Sequence, residues 1–222
     1  MTTTGVTTAG RTTFDGGQDL ATSREVRGSG LSVGDCVRAI HDVLDRVDRS
    51  DLGEPTSFAG IVRELARAAS RMESLRLAVL AAADSAQVAG FSGASGTGAW
   101  FAELTKTDER AAVADASLAT RLGDGRAPKT QEALVDGRVS KEHAAVIVNA
   151  LEGLPPEISS DERAQAERSL LEKAGRMSPN KLRQNARRVV EDAGRSKRES
   201  DEHQGNLLRT EEERALARCR FS

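Results

Sequence analysis

From Phe58 to Ala82 the apolar residues Phe58, Ile61, Leu65, Ala68, Met72, Leu75, Val79 and Ala82 recur at alternating spacings of three and four. Only an α-helix brings such positions onto one face, so the spacing predicts a single long helix over about 57–90. Roughly three and a half heptads are present, short for a dimeric coiled coil. The expected partner of the stripe is therefore the rest of the chain, in an intramolecular bundle. Composition agrees with helices rather than strands. Strands favour aromatic and β-branched residues, whereas only 3% of the 222 residues are aromatic and Tyr is absent. The expected fold is all-α, a multi-helix bundle of one long helix and several shorter ones.

The shorter helices announce themselves through their ends. Ser32 precedes Val37, Ile40, Val43, Leu44 and Val47 at helical spacing, with Asp35 three residues on, and reads as an N-cap. SDLGEPTS (50–57) reads as a turn. GFSGASGTG (90–98) breaks the long helix and serves as a connector; it lacks the Lys of a P-loop and the spacing of a dinucleotide fingerprint. Helices are expected over 98–104, carrying Trp100, and over 108–122 and 128–135, the last closed by Asp136-Gly137. Ser140 caps a helix that turns Ala144, Val146, Ile147 and Leu151 inward, and LPPE (154–157) stops it. Ser159-x-x-Glu162 is a capping box, and Ser178-Pro179 is an N-cap followed by an N1 proline. Residues 1–30, with eight Thr and six Gly, read as a disordered tail. The helical domain is expected over 31–195, with a charged, partly helical segment over 196–222.

Few residues could carry chemistry. The two cysteines, Cys36 and Cys219, are far apart and make no disulfide framework. His41, His143 and His203 include no pair at the i, i+4 spacing of a helical metal site. Cys36 and His41 are five residues apart and point about 140° away from each other on a helix. His143, at the start of its helix, suits a structural role at a helix junction, as do Trp100 and Gly137. No catalytic residue, metal ligand or cofactor is assigned. No signal peptide or membrane span is recognisable in the chain, and a cytoplasmic location is expected.

Charge is informative in its distribution. The formal net charge is −2, yet Lys173–Arg198 holds nine basic residues against Glu191 and Asp192, and Glu199–Arg214 is acidic. A second basic feature is the stripe Arg63, Arg67, Arg71. Like charges at i, i+4 repel weakly, and such stripes persist when phosphate covers them, when an acidic segment does, or as solvated faces whose stems shield apolar surface. The helices over 128–135 and 140–151 also have helix-turn-helix dimensions, which would offer Ser140, Lys141 and His143, with Arg138 in the turn, to DNA. Candidate DNA contacts are thus Lys181, Arg183, Arg187, Arg188, Arg63, Arg67, Arg71, Arg138 and Lys141.

GRVSKEHAAVIVNALEGLP (137–155) resembles the domain of unknown function 222, or 13E12 repeat, family of actinobacteria. So do GFSGASGTGAWFAELT (90–105), TDERA (107–111), RMSPNKLRQNARRVV (176–190) and LLRTEEERALARCRF (207–221), in the same order. In that family a helical region precedes a strand-rich connector and an HNH nuclease module, whose His, Asn and acidic residues hold a metal. RCRFS (218–222) resembles the first strand of that continuation, and on this reading the chain is a truncated or split member. No residue here matches the HNH motif, so no nuclease ligand is carried over and the chain alone should not cut DNA.

Two readings of function stand. One is a non-catalytic helical domain of an HNH endonuclease-like protein that binds or positions on DNA through basic helices, alongside a separately encoded nuclease module. The other is a protein-interaction or self-association module without DNA contact, or a decayed gene product.

Overall fold

The structure, a computed structural model, describes residues 30–191 and Arg209. The expectations for residues 1–29 and for the charged segment beyond residue 191 lie outside the described residues. Every regular element among the described residues is helical and none is a strand, so the chain is all-α. Contacts divide it into two compact units, Met1–Arg49 and Ser50–Ser222.

Among the described residues of the first unit the regular element is helix α1, Val33–Leu44. Ser32 caps it, its Oγ accepting from the Asp35 backbone N–H at 3.1 Å. The apolar residues fall at the expected spacing, but no residue of α1 is buried.

The second unit begins with a 3-10 turn at Pro55–Ser57 that leads into the long helix α2, Phe58–Ser85. The helix ends five residues before its expected limit. Gln87 adopts a left-handed φ of 53° and starts a single helical turn, α3, Val88–Phe91. Then follow α4 (Thr97–Thr105), α5 (Glu109–Gly123), α6 (Pro128–Val135), α7 (Lys141–Glu152) and α8 (Ser160–Ala174). The helix α9 covers residues 179–191. Side-chain caps at Asp108, Ser140 and Ser159 start α5, α7 and α8, and the Ser159–Glu162 capping box is complete.

Helix α7 carries the centre of the core, with Ala144, Val146, Ile147, Val148, Ala150 and Leu151 all buried. Leu134 from α6, Leu170 from α8 and Leu182 from α9 are also buried in this core. Helices α4 and α5 pack most closely. A Cβ on Gly98 would come within 2.7 Å of the Val113 Cα, so this position admits only glycine without moving the two helices apart.

The stripe that predicts α2 is not the face with which α2 packs. Phe58, Ile61, Leu65, Met72 and Val79 are 41%, 43%, 63%, 49% and 43% exposed. Ala68 and Ala82 are also exposed, and only Leu75 is half-buried. The buried residues of α2 are Leu77, Leu80 and Ala83, roughly 120° round the helix from the stripe. The expected intramolecular burial of the stripe is thereby corrected. An Ala- and Leu-rich helix has two apolar faces, and periodicity cannot say which one meets the core.

Candidate nucleic-acid interface

The candidate cations fall into two groups that differ in what already engages them. The first surrounds the turn between α6 and α7. Helix α6 ends in a Schellman motif: the Gly137 N–H donates to the Leu134 carbonyl at 3.0 Å and the Arg138 N–H to the Ala133 carbonyl at 2.8 Å. Gly137 takes φ +70° and lies against α2, where its Cα side faces the stems of Arg67 and Arg71. Arg67 Nε donates to the Asp136 carbonyl at 3.0 Å. Arg138 Nε lies 3.1 Å from Asp136 Oδ2. The turn thus gathers Arg67, Arg71 and Arg138 and occupies two of them with Asp136. Arg63, one turn earlier on α2, is exposed.

The N-terminus of α7 is turned inward rather than presented. Ser140 Oγ donates to Glu142 Oε2 at 2.7 Å, which holds the Glu142 carboxyl below its ordinary value of 4.5. The two nitrogens of the His143 ring lie 2.9 Å from Ser140 Oγ and 2.9 Å from the Met177 carbonyl, in the turn between α8 and α9. Lys141 Nζ bonds Asp115 Oδ2 at 2.9 Å, as does Arg76 Nη2. Glu73 completes this group, pairing with Arg76 at 2.5 Å and lying 3.9 Å from Lys141. Four charges from α2, α5 and α7 therefore meet around Asp115, whose side chain is only 14% exposed, and Arg76 also lies over the Phe101 ring, 5.4 Å from its centroid. Of the residues a helix-turn-helix would offer to bases, only Arg138 is exposed.

The second group is on α9. Ser178 starts the helix, its carbonyl accepting from the Leu182 N–H at 2.9 Å. Leu182 and Ala186 are buried, and Val189 and Val190 are half-buried. Lys181, Arg183, Arg187 and Arg188 are consequently exposed. Arg183 bonds Asn180 Oδ1 at 3.0 Å, and no carboxylate among the described residues pairs with any of the four. Arg183 and Arg187 rim a groove between α7 and α9, floored by Val146, Ala150, Ala186 and Val190.

A family model described as "Domain of unknown function (DUF222)" matches residues 59–220. The chain belongs to this family. No curated protein and no solved structure is detectably similar to it. The DUF222 match begins at the second residue of α2 and takes in the rest of that helix and all of α3 to α9. Among the described residues of this DUF222 chain, no group of three or more His, Cys, Asp or Glu residues could hold a metal ion. No described helix is long and apolar enough to cross a membrane. Trp100, expected to be structural, is half-buried and packs against the core from α4.

Two features escape sequence reasoning. The Asp115 cluster draws on three helices distant in sequence, and its only local sign is a lone Asp in the Ala-rich run of α5. Glu167 is buried at 3% exposure and accepts from both the backbone N–H and the hydroxyl of Thr130, at 2.7 and 2.8 Å. An acidic residue on the inner face of α8 was the available signal.

Proposed function

We propose that this DUF222 domain is a non-catalytic DNA-positioning region of an HNH endonuclease-like protein, with the nuclease chemistry supplied by a separate module. The observation that supports this reading is the outer face of α9, where Lys181, Arg183, Arg187 and Arg188 stand exposed and without a carboxylate partner among the described residues. Helix α9 is anchored by Leu182 and Ala186, so these cations sit on a packed support rather than on a loop. Spaced over two turns, they match a run of phosphates better than a single anion. Arg63 and Arg138, also exposed, add positive charge near the α6–α7 turn. With the start of α7 engaged by its neighbours and no recognition helix offered to the major groove among the described residues, binding should be independent of sequence.

Fluorescence anisotropy of the chain on two unrelated DNA duplexes tests this. Four phosphate contacts predict that log K falls against log salt with a slope of about −3 to −4, equal on both duplexes. R187E/R188E should lower affinity at least about tenfold at low salt. A flat salt dependence, or unchanged binding by that variant, leaves the protein-interaction reading in its place.

A further inference from the structure

The exposed stripe of α2 is an apolar surface along a helix of 28 residues, and its flanking charges specify what covers it. We propose that two copies of this chain pair through the stripe as antiparallel helices, crossing near Ala66 and Arg67.

The stripe has the heptad form, with Phe58, Leu65 and Met72 at a and Ile61, Ala68 and Leu75 at d. In an antiparallel pair each a residue meets a d residue of the second copy, and g positions face g positions across one flank while e positions meet across the other. One register sets Leu65 against Ala68, Ile61 against Met72 and Phe58 against Leu75, each contact occurring twice. Large residues then oppose small ones at the centre, as close helix packing requires. The e flank joins Val62, 64% exposed, to Ala69. The g flank joins Glu64 of each copy to Arg71 of the other.

The alternatives are disfavoured by the same two charges. A heptad shift one way opposes Arg71 to Arg71, and the other way Glu64 to Glu64. A parallel pair, in which g meets the next e, opposes Arg71 to Arg76. Only the stated register turns both charges into attractions. Glu64 and Arg71 are exposed, and neither has an ion-pair partner among the described residues. The lone carboxylate and lone guanidinium left beside an uncovered stripe are the groups this register pairs.

Sedimentation velocity of the full chain over a micromolar concentration series, without DNA, tests the pairing. The expected species has twice the 23.6 kDa mass of one chain. E64R and R71E should each weaken association about tenfold or more, and the double exchange E64R/R71E should restore it. Arg71 also packs on Gly137, so circular dichroism accompanies each variant. L65D, at a 63% exposed position, should yield monomers that keep the helical signal. A monomeric wild-type chain, association that survives L65D, or a double exchange no tighter than its parents would each overturn the proposal.

Discussion

Gly137 sits where two demands coincide. Its φ of +70° terminates α6, and its Cα approaches α2 so closely that an added Cβ would stand 2.6 Å from Arg67 Cγ and 2.7 Å from the Arg67 carbonyl oxygen. A left-handed conformation costs a non-glycine residue about 1–2 kcal/mol. The backbone contact adds a displacement of the turn from α2, because a carbonyl cannot rotate aside as a flexible side chain can. G137A should therefore lose about 2–3 kcal/mol, lowering the thermal midpoint by about 4–10 °C; a shift below 2 °C, in rough terms, would show that the turn relaxes freely. The Asp-Gly pair after an apolar run made the turn legible in the sequence. The second demand was not legible, since nothing near Gly137 names Arg67.

Helix α6 shows how far an element can depend on another. Pro128 occupies its first turn, and Ala127 at the N-cap position has no side chain that could accept a hydrogen bond. Glu167 of α8 supplies the missing acceptor from 37 residues away, placing a carboxylate at the positive end of the helix. E167A would leave the Thr130 N–H and hydroxyl buried without a partner. We expect a loss of about 2–4 kcal/mol in denaturant unfolding, with E167Q milder because its amide oxygen still accepts. Equal loss for the two variants would instead assign the effect to packing. The caps of α1, α7 and α8 could be read directly, because each capping side chain and the N–H it accepts from are three residues apart. The α6 cap and the Asp115 cluster could not, because their partners meet only after the chain has folded back.

Over the whole molecule, the all-α class and most helix limits were legible from periodicity, caps and breakers. The packing face of α2 was not. Its Ala, Leu and Val residues satisfy helical spacing on two sides, and the choice between them is made by Leu77, Leu80 and Ala83 meeting the core. Candidate cations divide in the same way: residue type nominated nine, while packing places Lys141 beside Asp115 and leaves the α9 set uncovered. In neither case does local sequence record what lies across the contact.

The packed half of α2 and its uncovered half also differ in how they stay helical. Residues 58–69 are all exposed, and an isolated helix of that length is marginal in water. Apart from the contact of Arg67 with the Asp136-Gly137 turn, their helicity is an extension propagated from the turns held by Leu77 and Leu80. In dilute solution, amide hydrogen exchange should therefore accelerate stepwise from Leu77 toward Phe58, spanning the range from global unfolding to local fraying. Raising the protein concentration should flatten that gradient if copies pair, so that exchange at Ile61 and Leu65 becomes a residue-level reporter of assembly. A uniform rate along α2 at all concentrations would contradict both the propagation and its suppression.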